Sequence, residues 1–404
     1  MPGTLLKNET LQLIIALLSG LAFGLYQPEL AVQMRPLSEG FILVLGWLMP
    51  WVIFILVASS VASLPTHQGR PRLALSIIVY FQLAACAALL VGMATLLLLK
   101  PGVSSGALLI VASPALSQPL LTGLLSAAQA ILAHDILLQV LLLALLAGVL
   151  LRRAGPSGSR LQTLLQKTTT HMFRSLRVLM RFAPVAAFGA VAFSVGRYGP
   201  AAGLPLVKFV GALYVGCLMF VCLVLAGLAR LCGVGLWRLA LYLRAELLMV
   251  VTTGSTLAAL PGLLQRMEAL GCAPQVARLV MTTGYSFNLN GSSLYLSASI
   301  LFLAQLAGVE LSCGQLVLVL LVSLLTSLGS TSIPGAAFMT LVATLNILHL
   351  VPAESVGLLL GVERVMKCRS VTNVLGNCVA CLVISKGAGS LDTQRLGEQL
   401  PRVY

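Results

Sequence analysis

A chain of 404 residues in which 9% are charged and 59% hydrophobic, with a mean hydropathy of +1.02, is excluded from the soluble globular class. Its net charge of +14 is no nucleic-acid footprint either, because the 25 lysines and arginines are scattered over connections between apolar runs. What remains is a polytopic membrane protein.

Taken in chain order, residues 11–26, 41–61, 73–99 and 211–231 reach or approach the ~20 apolar residues that cross ~30 Å of hydrocarbon. The first run is long, lacks a small-residue cleavage site and precedes further spans, so a retained helix is expected, not a signal peptide. Residues 5–64 and 107–198 predict long greasy helices with little internal polarity. Residues 73–99 and 205–386 hold every buried break and nearly every intramembrane polar residue. His134 beside Asp135 is the one pair placed to relay a proton, and reads better as a loop or a helix break in the fourth span. Residues 152–181 make a basic connector whose Leu161, Leu164, Leu165 and Met172 predict an amphipathic surface helix. The tail after Lys386 is short and polar and is expected to fray.

Cations fix the orientation. Arg70 and Arg72, the group from Arg152 to Arg181, and Arg230, Arg238 and Arg244 alternate with cation-poor connections at 29–39, 100–105 and 350–355. The positive-inside rule then puts both termini in the cytoplasm, with eight crossings and two re-entrant segments. The nine cysteines form no metal pattern with the four histidines; Cys378 and Cys381 share a helical face, yet a buried thiol is ordinarily a small hydrophobe.

Three polar interruptions carry the functional signal, since broken backbone at membrane depth survives only where protein buries it or a solute pathway runs past it. The first opens at Gly254 to Thr256 between two apolar arms too short to cross, which predicts a hairpin entered from the cytoplasmic side. The second, Asn288-Leu289-Asn290-Gly291-Ser292-Ser293, sits mid-span in residues 276–306 and predicts an unwound turn whose oxygens coordinate a cation while a half-helix N-terminus favours an anion. A kink stabilised by asparagine side chains is the plainer alternative. The third, around Gly329 to Ala337 within residues 316–348, repeats the hairpin design from outside. Gly/Ser packing faces would explain either hairpin alone; two in opposed orientation point to an inverted-repeat transporter with the solute site between their tips.

The last span carries Glu363, Arg364, Lys367, Arg369, Ser370, Thr372, Asn373 and Asn377, a density of polar groups that is a functional signal within a membrane. Glu363 and Lys367, four apart, are expected to pair across one turn. Arg369 has no acid at i±3 or i±4 and suits two-point binding of a carboxylate. Snorkelling, or pairing with Asp135 or Glu246, stays open for it.

The run Gly284-Tyr-Ser-Phe-Asn-Leu-Asn-Gly-Ser-Ser-Leu-Tyr295 resembles the unwound seventh helix of the dicarboxylate/amino acid:cation symporter family, the glutamate-transporter-like proteins. Gly361-Val-Glu-Arg with Arg369-Ser-Val-Thr-Asn-Val-Leu-Gly-Asn377 is similar to the eighth-helix signature, and Ser332-Ile-Pro-Gly335 to the second hairpin tip. Gln27-Pro-Glu-Leu through Met34-Arg-Pro-Leu-Ser-Glu-Gly40 resembles the bacterial aerobic C4-dicarboxylate branch. The resemblance spans nearly the whole chain. It implies an all-α elevator fold of eight transmembrane helices and two re-entrant hairpins, assembled as a homotrimer in a cell inner membrane. Scaffold segments 1–64 and 107–200 would hold transport segments 65–106 and 201–387, with 388–404 a cytoplasmic tail. Substrate contacts would come from Ser255 and Thr256, Ser292, Ile333, Pro334, Gly335 and Ala337 at the second tip, and Arg369, Ser370 and Asn373. Gly284, Asn288, Asn290, Asn373 and Asn377 are the candidate cation ligands.

The departures bear on ions. Asn290 and Asn377 stand where aspartates are usual, Ala84 and Ala85 replace hydroxyls of helix three, Leu257 replaces a glutamate, and the segment from Glu363 to Arg369 is one residue short. Met366 stands where the amino-acid branch has an acid for the substrate ammonium, so a diacid without an amino group is the expected substrate. Each lost acid removes a ligand for a hard cation. The expectation is a symporter of succinate, fumarate or malate driven by protons or sodium, with coupling weakened, needing no cofactor, binding no nucleic acid and having no enzyme site. An anionic amino acid carrier, an exchanger, a passive anion pathway or a binding-only sensor is the alternative.

Overall fold

The computed structural model describes residues 9–62, 71–103, 136–154, 159–198, 203–253, 256–328, 330, 336–351, 353–360, 362–363 and 365–400. These are mostly helical, with no strand among the described residues and one isolated bridge between Cys272 and Leu391. His134 and Asp135 lie outside them.

The first half supplies α1 (Glu9–Tyr26), α2 (Pro28–Val32), α3 (Arg35–Ala62), α4 (Pro71–Leu99), α5 (Ile136–Arg153), α6 (Ser159–Leu179) and α7 (Ala183–Tyr198). Helix α7 packs along α1, α2 and α3, and α3 along α5 and α6. The α1–α7 seam is close because Gly20 lies against the Phe188 carbonyl, where an added Cβ would stand 2.8 Å away. Helix α6 is the amphipathic connector read from the sequence. It exposes Leu161 and Leu164 beside Arg160 and Lys167, while Leu165 and Met172 turn to the core.

The second half continues with α8 (Gly203–Leu231), α9 (Leu236–Tyr242), α10 (Arg244–Thr253), α11 (Thr256–Ala269), α12 (Pro274–Phe287) and α13 (Asn290–Leu306). It closes with α14 (Cys313–Ser327), α15 (Ala336–Leu348), α16 (Gly357–Leu360), α17 (Cys368–Gly387) and α18 (Thr393–Gln399). Among the described residues, the stretches Leu75–Leu99, Gly203–Leu231, Pro274–Leu306 and Cys368–Gly387 are long and apolar enough to cross a membrane. Protein buries 94% of the apolar window in Pro274–Leu306 but 39% in Gly203–Leu231, so α12 and α13 form the centre of the molecule and α8 its flank.

Helix α4 is zipped to α13 by polar contacts that lipid could not supply. Ser297 donates to the Leu89 carbonyl at 2.8 Å, and Gln305 donates to the Leu96 carbonyl at 2.9 Å while accepting from the Gly102 amide at 3.1 Å.

Helices α10 and α11 pack on each other, as do α14 and α15. At 1.5 Å per residue their arms measure about 15, 21, 22 and 20 Å, each short of a ~30 Å hydrocarbon core. Glu246 on α10 meets Arg266 on α11 at 3.2 Å, and Thr326 on α14 shares a hydrogen bond with Thr344 on α15 at 2.8 Å.

Two expectations fail here. The tail does not fray at once after Lys386, because Asp392 accepts from the Gln394 and Arg395 amides at 3.1 Å to cap α18, and Leu396 is buried. The Asp392 amide also donates to the Gly271 carbonyl at 2.9 Å, tying the tail to the connection between α11 and α12. The last span, moreover, does not begin near Glu363: α17 starts at Cys368 and Glu363 sits in a turn before it. Glu363 and Lys367 therefore do not share a helical turn, and the Glu363 carboxylate meets Arg369.

Loss of an Asp cap costs about 1 kcal/mol. Asp392→Ala is expected to speed proteolytic trimming after residue 390 in detergent, and an unchanged cleavage rate would contradict the docked tail.

Candidate functional site

Between α12 and α13 the backbone leaves helical geometry at Asn288 (φ −124°, ψ 58°) and Leu289 (φ −96°, ψ 62°). The unwound stretch is narrower than the sequence suggested: Asn290, Ser292 and Ser293 lie in the first turn of α13. Asn373 explains the early restart. Its side-chain oxygen accepts from the Gly291 amide at 2.8 Å and the Ser292 amide at 3.3 Å, and its Nδ2 donates to Ser292 Oγ at 3.2 Å. A side chain from α17 thus satisfies two of the orphan amides that begin any helix.

The same face of α17 continues the seal. Asn288 Nδ2 donates to Asn377 Oδ1 at 2.9 Å, one turn beyond Asn373. Two glycines let the backbones meet: a Cβ on Gly291 would stand 2.2 Å from the Arg369 carbonyl oxygen, and one on Gly376 would stand 2.4 Å from Asn290 Nδ2. Gly284, expected among the cation ligands, faces the Asn377 amide in the same way, with 2.3 Å for an added Cβ, and its carbonyl accepts from the Asn288 amide at 3.0 Å.

One turn before Asn373 stands Arg369. Its Nη2 donates to Glu363 Oε1 at 2.7 Å, and both side chains are nearly buried, 11% and 6% exposed. Its Cζ lies 4.5 Å from the centroid of the Tyr295 ring on α13, a cation–π contact in a desolvated setting. Nη1 is buried and has no hydrogen-bond partner among the described residues. Its acid comes from position i−6, outside the helical spacings at which the sequence offers none. Glu246 is not its partner; it pairs with Arg266. Held by Glu363 on one side and without a partner at Nη1 among the described residues, the guanidinium keeps the donor geometry that matches a carboxylate.

Asn290 is fully buried, and neither its oxygen nor its nitrogen has a partner among the described residues; Asn288 Oδ1 is likewise unmatched. A buried amide left this way costs about 1–3 kcal/mol per group. Neutral oxygens of this kind are the ligand type that a hard cation takes. Asn373 and Asn377 have their oxygens engaged within the protein. Among the described residues no cluster of His, Cys, Asp or Glu is placed to hold a metal ion.

The structure therefore joins Ser292, Arg369, Asn373, Asn288, Asn290, Asn377 and Gly284 at one crossing. Ser370 lies half-buried in the first turn of α17. Thr256 begins α11, which packs on α17, with a buried hydroxyl that has no partner among the described residues. Ala337 is buried in the first turn of α15, which packs on α13. Ser255, Ile333, Pro334 and Gly335 lie outside the described residues. Sequence reasoning missed Tyr295 and the Glu363 contact. Tyr295 closes the motif run read above, one turn after Gly291, while Glu363 carried no helical-spacing signal.

The profile of the sodium:dicarboxylate symporter family matches residues 10–387. The C4-dicarboxylate transport protein of Rhizobium leguminosarum is 36% identical over 403 residues, covering 96% of this chain and 91% of that protein. Similar proteins include the C4-dicarboxylate transport protein of Delftia acidovorans, 36% identical over 408 residues (96% of this chain, 91% of that one). The C4-dicarboxylate transport protein 1 of Ralstonia nicotianae is 36% identical over 399 residues (95% and 93%).

Asn373→Leu strips acceptors from two buried amides, whereas Asn373→Asp keeps them. The Leu variant is expected to lose about 2 kcal/mol or more of stability and the Asp variant clearly less, read as thermal unfolding in detergent. Equal losses would contradict the cross-helix cap.

Proposed function

The chain belongs to the sodium:dicarboxylate symporter family, and from that membership and the geometry around Arg369 we infer that it carries C4-dicarboxylates such as succinate, fumarate or malate across a cell inner membrane. The family and the relatives are transporters, and this chain is not an enzyme. The observation that carries the substrate reading is Arg369: buried, stacked on Tyr295, and with Nη1 unsatisfied among the described residues. One substrate carboxylate binds there, beside the N-terminus of α13. The resemblance adds Ser255, Thr256, Ile333, Pro334, Gly335 and Ala337 as contacts to the rest of the substrate, with Ser292, Ser370 and Asn373. Met366 is buried at the position where an acid would hold a substrate ammonium, which favours a diacid over an amino acid.

In this reading the chain crosses eight times with both termini cytoplasmic, and the pairs α10/α11 and α14/α15 are the two re-entrant hairpins. The short arms support it. The packing of α1, α2, α3, α5 and α7 on one another, and of α4 with α8 and α13, supports a scaffold and a moving unit. The scaffold joins three copies of the chain, and the moving unit travels as an elevator. Coupling uses protons or sodium and no other cofactor. A cation held by Asn288 Oδ1, Asn290 Oδ1 and the α12 carbonyls meets neutral donors alone, which makes sodium dependence weak.

If Arg369 holds the carboxylate, Arg369→Ala loses charge-assisted hydrogen bonds of roughly 1.5–3 kcal/mol. Succinate affinity of the purified protein should fall about tenfold to a hundredfold, with Arg369→Lys between it and wild type. Unchanged affinity in the Ala variant removes Arg369 from the site. A sodium titration of uptake tests the ion reading: Asn290→Asp places a charge against the cation and should create or strengthen stimulation. Strong saturable stimulation already present in the wild type would show that other ligands replace the missing acids.

A further inference from the structure

We propose that Glu363 is the proton-accepting counter-ion of the substrate site, so that binding a dicarboxylate draws one proton onto its carboxylate; this rests on the carrier reading above. Glu363 is 6% exposed at its side chain and lies 2.7 Å from Arg369 Nη2, so the arginine is electrically compensated before any substrate arrives. The asparagines at the break add no charge. A substrate carboxylate that takes the bare Nη1 becomes the second carboxylate on a single guanidinium in a desolvated crossing. Two carboxylates that share a site do not both stay ionised cheaply, and one takes up a proton.

Glu363 is the carboxylate placed to do so. Among the described residues, Arg369 on α17 and Tyr295 on α13 act directly on it, Cys368 on α17 and Cys217 on α8 lie beside Arg369, Lys367 is in the preceding turn, and Tyr214 on α8 holds the Val365 carbonyl. None of these is a second acid. Glu246, the other buried carboxylate among the described residues of the second half, is committed to Arg266. The turn that carries Glu363 is itself anchored, since Tyr214 donates to the Val365 carbonyl at 2.9 Å. Protonation leaves Glu363 able to accept a hydrogen bond from Nη2 while its charge no longer opposes the substrate. Release of the substrate returns the proton, which makes Glu363 a coupling residue in a chain that lacks acids at Asn290 and Asn377.

The test is calorimetric titration of the full-length purified protein with fumarate, a diacid that stays doubly ionised around neutral pH, in two buffers of different ionisation enthalpy. Wild type should take up close to one proton per fumarate and bind more tightly as pH falls. Glu363→Gln keeps the acceptor oxygen and should take up none, bind at least tenfold more tightly at neutral pH, and lose the pH dependence. Binding by wild type without proton uptake overturns the proposal even if the variant does not fold. A folded Glu363→Gln with unchanged or weaker affinity overturns it too, and leaves Glu363 as a residue that only aims Arg369. No binding of fumarate by the wild type would sink the carrier reading itself, and this inference with it.

Discussion

Hydrocarbon offers no hydrogen-bond partner to an open backbone, so a helix interrupted at membrane depth must find its missing partners inside the protein. Here one side chain, Asn373, accepts the Gly291 and Ser292 amides and lets α13 restart two residues after α12 ends. The rest of the site depends on this cap. It forces α17 against the break, which requires glycine at 291 and 376, where the backbones and the Asn290 amide leave no space for a Cβ. With α17 so placed, residues spaced four apart on one helical face point at the crossing: Arg369, Asn373 and Asn377. The first meets an acid and an aromatic ring, the second caps α13, and the third receives Asn288.

Charge at this crossing is balanced by protein before a solute is considered. Arg369 is offset by Glu363, and the positions around the break are neutral amides. Taking one partner from a buried ion pair costs roughly 3–5 kcal/mol, so Glu363 and Arg369 hold each other in place, while Nη1 is left without a partner among the described residues. Asn290, fully buried with both polar atoms unmatched among the described residues, is a second unsatisfied element at the same crossing.

Much of this was legible in the sequence because breaks in apolar runs are conspicuous and helix-breaking residues are few. The interruption at Asn288, the two short-armed pairs, the amphipathic connector helix and the Arg369/Asn373 stripe all follow from period and composition. The Glu363–Arg369 contact was not legible, because partner rules for helices look three or four residues away and this pair is joined by a non-helical turn over six. The width of the unwound stretch was overestimated for a related reason: the polar residues at 290–293 look like loop until a cap from a distant helix is known. Gly284 and Gly376 carry no sign in the sequence of the amides that fill the space beside them. The tail looked free because its anchor, the Asp392 amide donating to the Gly271 carbonyl, joins residues far apart in the chain.

The most direct test of the central claim is uptake of radiolabelled succinate by the purified protein in liposomes, with proton and sodium gradients imposed separately. The account predicts saturable, gradient-driven accumulation that responds more to the proton gradient than to sodium, competed by fumarate and malate and only weakly by aspartate. Absence of uptake under either gradient, or competition by aspartate as strong as by malate, would contradict it.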